Sequence, residues 1–329
     1  MQNTHGTFTI SLDFELYWGM RDIVSIEEYK DYLLGAREAI PKMLELFEKY
    51  DVHATWATVG FLFFDDRKHL GSHLPKETPS YLSDELSPYP YIENADKWED
   101  VYHFAPDLVD AIHHVKGQEV ATHTFSHYYC GEEGQSLKEF EVDIQAAISI
   151  ANEKNIETKS IIFPRNQWNP DYLPALEKLG VTSFRGAEAS WMYSAPDYKS
   201  QLKPINRAAR LADAYINLSG HNTYSIEESA KSKPYNFPSS RQLRPYSKKL
   251  ALLDGLRLKR ITKAMSYAAK HNEIFHIWWH PHNFGTNIEK NLSFLEQILI
   301  HYQTLQASNG MRSLNMKELS AMAVESYDE

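Results

Sequence analysis

Short apolar, β-branched runs alternate with longer amphipathic runs through most of this chain, and that alternation is the strongest constraint on its fold. Residues 7–13 (TFTISLD) read as a buried strand starting almost at the first residue. Ser25, with Glu28 three positions on, forms a capping-box signature. It opens a helix in which Leu33, Arg37, Ile40, Leu44 and Phe47 recur at helical spacing, and Pro41 is expected to kink or split it. Further strands are predicted at 53–61, 118–124, 159–164, 181–186, 213–220 and 273–279, with helices at 106–117, 136–154, 170–180, 254–271 and 288–307. Two polar segments without clear period, 65–103 and 221–250, read as long insertions. Strand–helix alternation implies a parallel sheet with helical crossovers, and six or seven such units suit a barrel better than an open sheet. No composition break marks a second domain, so one α/β domain over 1–329 is expected.

Composition narrows the classes. The chain has 34 Lys+Arg against 44 Asp+Glu, a formal charge of −10, which argues against a general nucleic-acid binder. No apolar run approaches the ~20 residues of a membrane span, and the start, MQNTHGTFTISLDF, lacks the basic-then-apolar pattern of a secretory signal. A single cysteine, Cys130, excludes an internal disulfide and leans towards a reducing, cytoplasmic setting. No GxGxxG or GxxxxGK[ST] follows the first strand, so nucleotide-binding folds lose support.

In a parallel barrel, chemistry sits at the carboxyl ends of the strands. Those ends offer Asp13 and Glu15, then His123 and His127, then Arg165, and finally His280 and His282. His123 and His127 are four apart, so one helical turn there would aim both imidazoles at a shared metal. Asp13 and Glu15 alternate along an extended segment and share a face, so one carboxylate could coordinate while the other takes a proton from water. Glu15 could instead cap a helix, and which carboxylate is the ligand stays open. Arg165 suits a partner that holds the base ionised, or a surface ion pair. His280 and His282 are both placed to serve as a general acid. Cys130 is a soft ligand or a packed thiol. Arg185, Trp191, Trp168 and His282 are candidates for lining a substrate cleft.

These residues, in this order, resemble the polysaccharide deacetylase superfamily, the NodB-homology or carbohydrate esterase family 4 group. His123-Thr124-Phe125-Ser126-His127 matches the family's His-Ser/Thr-x-x-His motif, SLDFELYW stands in place of the first motif, FPRNQW in place of the third, and WWHPHNF in place of the last. The resemblance spans roughly 7–320 and implies a distorted (β/α)7-type barrel. It implies one divalent metal, zinc first among Zn, Co, Mn, Ni and Fe, held by Glu15, His123 and His127. It further implies Asp13 as base, Arg165 orienting that base, and His280 as acid. The activity implied is hydrolysis of an N-acetyl or O-acetyl group on a sugar or glycoconjugate; the lack of a signal pattern points that activity to surface-polysaccharide or lipopolysaccharide assembly in the cytoplasm. A second reading is hydrolysis of another non-peptide C–N bond, in a small amide, formamide or cyclic ureide. The 65–103 segment, rich in Tyr and Trp, is expected to lid or line the substrate site.

Overall fold

A computed structural model describes residues 5–96, 98–188, 190–193 and 203–325. Its centre is a parallel sheet built outward from β1 (Thr7–Phe14), which pairs with β2 (Ala54–Thr58) on one side and with β8 (Ile274–Trp279) on the other. From β2 the sheet continues through β3 (Gln118–Thr122), β4 (Ser160–Ile161) and β5 (Ser183–Phe184) to β6 (Tyr235–Asn236). Beyond β8 lies β7 (Arg241–Gln242), and β9 (Arg312–Ser313) pairs with the start of β1. Every strand pair is parallel, and the curled sheet is a distorted β/α barrel as expected.

The helices follow the sequence pattern. α1 (Ile26–Lys49) starts on the Ser25–Glu28 capping box and runs through Pro41 as one element. Its Leu33, Ala36, Ile40, Met43 and Phe47 are buried against the sheet. α2 (Pro106–His114), α3 (Leu137–Glu153) and α4 (Leu173–Lys178) are the next crossovers, and α3 opens on a second capping box, Ser136 with Glu139. They are followed by α5 (Pro204–Asp213), α6 (Asp254–His271), α7 (Ile288–Asn309) and α8 (Met316–Glu325).

Sheet alternation sorts β1 into two jobs. Phe8, Ile10 and Leu12 point to the main core beneath the helices, whereas Ser11 and Asp13, on the opposite face, share the barrel interior with His276 of β8. A second apolar cluster, with Ala57, Phe237, Ile274, Met316 and Leu319, packs together away from the main core.

Two expectations fail here. Residues 213–220 are the end of α5 and a turn, because Asp213 turns inward and collects the backbone N–H groups of Leu218 and Ser219. The segment 221–250 is no loop insertion: it supplies β6 and β7, whose two-residue length leaves too little alternation to read. In 65–103, the structure holds short helices at Arg67–Gly71, Tyr89–Asn94 and Asp100–His103.

Candidate active site

The site forms where β1 ends. Asp13 is the penultimate residue of the strand, and Glu15 follows it before a 3-10 turn, Leu16–Gly19. Both carboxylates are buried. Gly19 makes room for the second: a Cβ there would lie 2.0 Å from the Glu15 carboxyl carbon.

After β3 the chain carries His123 and His127, both buried. The expected helical turn is absent. The loop instead places Thr124 and His127 in the left-handed region, at φ 66° and 60°, which costs a β-branched residue most. Asp143 of α3 holds that shape, accepting from the backbone N–H of Phe125 (2.7 Å) and Ser126 (3.1 Å) and from the Ser126 hydroxyl. The Thr124 hydroxyl accepts from the Tyr128 N–H at 2.6 Å.

The ring orientations follow from the remaining hydrogen bonds. His123 Nδ1 donates to the Ile162 carbonyl at 2.8 Å, so its Nε2 lone pair faces Glu15 Oε2 at 3.3 Å. His127 Nε2 lies 3.1 Å from the same oxygen, with Nδ1 at 3.1 Å from the Tyr129 hydroxyl. A carboxylate and a neutral imidazole nitrogen, both acceptors, thus converge, and the three ligand atoms lie within 4.8 Å of one another. Metal–ligand bonds of about 2.0–2.1 Å in a tetrahedron place neighbouring ligand atoms about 3.3 Å apart. The donor set therefore fits a divalent cation.

Arg185, at the end of β5, is fully buried and donates to both Asp13 oxygens, at 2.7 and 2.8 Å. Burial alone would push Asp13 up, but the Arg185 charge, with His280 and His123, holds it below its ordinary value. Glu15 sits well below its ordinary value, because His280, His123 and His127 together outweigh its burial.

Arg185 is itself held from beneath and from the side. It donates to the Ser11 hydroxyl at 2.9 Å and to Asn166 Oδ1 at 2.8 Å. The Ser11 hydroxyl in turn donates to His276 Nε2 (2.8 Å), whose Nδ1 donates to the Phe237 carbonyl (3.1 Å). Burial first, then the Arg185 charge, pushes His276 down to about 3, so it stays a neutral acceptor.

His280 stands across the site, partly exposed, with Nε2 3.8 Å from Asp13 Oδ2 and 3.6 Å from Glu15 Oε1. His282 stacks on it at 4.9 Å and is buried, its Nδ1 3.9 Å from Glu15 Oε1. Burial pushes His282 down to about 3.

Arg165 does not reach Asp13. The chain turns left-handed at Arg165 and Asn166, φ 57° and 52°, sending Asn166 to Arg185 and Arg165 outward to Asp22, with Glu132 at 3.5 Å. Its guanidinium also lies 4.1 Å from the Tyr129 ring, the residue bonded to His127. The arginine that grips Asp13 is thus Arg185, which the sequence pattern had placed in the substrate cleft. Its position just past a strand end was the available signal, and Arg165 carried the same one.

Trp168 is partly exposed and packs on Phe184 at 5.1 Å. Trp191 is 65 % exposed and makes no described contact with the site. Cys130 is buried with Tyr128, Phe140 and Ile144, and burial pushes its thiol up, so it is a packed residue outside the ligand set. The 65–103 aromatics turn inward. Trp98 stacks on His103 at 3.9 Å, Tyr91 donates to His103 Nε2 at 2.8 Å, and the Tyr81 hydroxyl accepts from the Tyr129 N–H at 2.8 Å. Trp18, three residues past Glu15, packs among Phe61, Tyr91 and Trp98 and donates to the His103 carbonyl at 2.7 Å. The segment buttresses the loops that carry Glu15 and His127.

Comparison with known proteins agrees with this fold. Residues 31–184 match the polysaccharide deacetylase family. That stretch, just under half of the chain, is similar to the family. Its fold is similar to that of a protein described as a polysaccharide deacetylase from Mycobacterium smegmatis, at 10 % identity and a TM-score of 0.61, covering 98 % of this chain and 92 % of that one. A similar match joins it to another so described from Pseudomonas aeruginosa PAO1, at 9 % identity and a TM-score of 0.58 over 99 % and 93 % of the chains. Puue allantoinase matches at 10 % identity and a TM-score of 0.57 over 99 % and 93 %. No curated protein matches the sequence. The polysaccharide deacetylase-like segment includes His123, His127, Arg165 and Asn166 and ends one residue before Arg185.

Proposed function

We propose that the chain is a single-domain, metal-dependent hydrolase that removes an N-acetyl or O-acetyl group from a sugar. The observation that carries this reading is the Asp13–Arg185 pair standing beside the Glu15–His123–His127 set, with His280 across the gap. Glu15, His123 and His127 would hold one divalent cation, zinc by preference for a nitrogen-rich set. Such an ion, when bound, supplies Lewis-acid polarisation of an acyl carbonyl and of water.

The remaining work falls to the chain. Asp13, kept ionised by Arg185, takes the proton of the attacking water. The C–O bond forms at the acyl carbon, and its carbonyl electrons collapse back as the C–N or C–O bond to the sugar breaks. His280 Nε2, facing the same gap, delivers a proton to the departing amine or alcohol. His282 supports His280 by stacking, and Trp168 is the exposed ring nearest β5 that could meet a sugar face. We place the acetylated substrate among carrier-linked sugars of surface-polysaccharide or lipopolysaccharide assembly in the cytoplasm.

The test is acetate release from a panel of N- and O-acetylated sugars, free and nucleotide-linked, alongside allantoin and other cyclic ureides, with and without added zinc. Turnover of an acetylated sugar supports the reading. Turnover of ureides alone would replace it with the second reading, C–N hydrolysis of a small non-sugar amide, which the allantoinase-like fold favours.

A further inference from the structure

Charge is divided unevenly over this chain. Residues 203–220 and 241–263 together hold 11 Lys and Arg against two Asp and Glu, in a chain whose net charge is −10. The rest of the molecule therefore carries −19. Six of the sixteen large apolar side chains exposed among the described residues lie in these two stretches, Leu252 at 100 %, Ile205 at 69 % and Ile216 at 61 %, with Leu218, Leu253 and Leu256. Trp191 joins them.

The stretches form one continuous region. Arg210 of α5 donates to the Met192 carbonyl at 3.0 Å, tying α5 to the Trp191 turn. Asp213 at the end of α5 pairs with Arg241 (3.1 Å) and Arg260 of α6 (3.6 Å). Arg257 of α6 donates to the carbonyls of Arg244 and Pro245, fixing the 243–253 loop on the same helix. With Arg241, Arg257 and Arg260 spent on these internal bonds, Lys203, Arg207, Lys248, Lys249 and Lys259 are left at the surface. The region flanks the site, because the Trp191 turn follows β5 and the 243–253 loop follows β7, both leaving the carboxyl end of the sheet.

A soluble surface gains nothing from a fully exposed leucine beside paired lysines. An anionic bilayer gains from both, since the headgroups attract the lysines and the leucines and Trp reach the acyl boundary. A charged polymer would use the lysines and leave Leu252, Leu256 and Trp191 idle. We propose that this face, centred on the 248–256 segment and α5, docks the protein on an anionic membrane surface with the carboxyl rim of the barrel towards the lipid. The docking stands apart from the reaction proposed above and holds whichever acyl or C–N bond the site cleaves.

The experiment is co-sedimentation of the full chain with phosphatidylcholine vesicles, with and without about 30 mol % phosphatidylglycerol. Partition onto the anionic vesicles alone, lost between about 0.1 and 0.5 M salt, is expected. Lys248→Glu/Lys249→Glu should weaken it roughly tenfold or more, and Leu252→Ser/Leu256→Ser several-fold, with unchanged melting in both. No partition onto anionic vesicles, or partition indifferent to the lysine reversals, would overturn the proposal. Equal binding to dextran sulfate with no effect of Leu252→Ser/Leu256→Ser would also overturn it, and would mark a polyanion surface instead.

Discussion

Arg185 grips both oxygens of Asp13 across 172 residues of chain, so the end of the first strand is fixed by the end of the fifth. Lysine has one nitrogen and cannot reproduce the fork. Arg185→Lys should therefore lower kcat by roughly tenfold or more, and Asp13→Asn by about 10²–10⁴. Metal content, measured by elemental analysis, should stay at the wild-type level in Asp13→Asn. Full activity in Arg185→Lys would remove Arg185 from the mechanism.

Ser11 and His276, both fully buried, hold Arg185 from below. Ser11→Ala should leave the guanidinium with one partner fewer and loosen the base. The expected signature is a fall in kcat with KM nearly unchanged and an upward shift of the acid limb of the pH–rate profile. A loss of stability alone, with an unmoved profile, would assign the pair a packing role.

His123→Ala/His127→Ala should abolish stoichiometric zinc binding, as read by elemental analysis and by calorimetric titration of the apo protein. Removing the ion with a chelator should silence the wild type, and added zinc should restore it. Wild-type metal content in the double variant would refute the assignment of these ligands.

Gly19→Ala is a quieter probe of the same set. Its new Cβ would meet the Glu15 carboxyl group at 2.0–2.4 Å, so the carboxylate must move. Zinc affinity should fall at least tenfold while the far-ultraviolet circular dichroism stays the same. Unchanged affinity would show that Glu15 can hold the ion from another rotamer.

His103 gives a pH test of the buttress. Burial in the Trp98–Tyr91 cluster pushes it from 6.5 down to about 4. A histidine depressed in the folded state favours folding while neutral, so its contribution is complete above pH 6.5 and is lost as pH falls towards 4. Urea melts should show a loss approaching about 3 kcal/mol across that window from this group alone. His103→Gln should flatten that part of the curve. The same slope in the variant would move the effect elsewhere.

The long elements were legible because their patterns are self-contained: the Ser25 and Ser136 capping boxes and the full length of β8 sit where periodicity and caps place them. The clustering of Glu15, His123 and His127 was legible because these residues lie in two short stretches. What escaped was set by tertiary contact. The partner of Asp13 depends on which of two arginines past a strand end turns inward, and a left-handed turn at Arg165 and Asn166 decides it. β6 and β7 are two residues each and carry no alternation of their own. The aromatics of 65–103 look like a sugar platform as a string of letters, but Trp18 gives them an apolar partner from the far side of the barrel's first turn.

β1 lies between β2 and β8, with β9 at its start, and these partners are far apart in sequence: residues 54–58, 274–279 and 312–313. On a ribosome, Glu15, His123 and His127 are all made before Arg185. Arg185 arrives later, and the histidine opposite Asp13, His280, arrives 95 residues after that. A growing chain thus owns Asp13 and the Glu15–His123–His127 cluster well before it owns Arg185 and His280. Until β8 closes against β1, one edge of that apolar first strand lacks its final neighbour, and it is there that a stalled chain would be most open to non-native pairing.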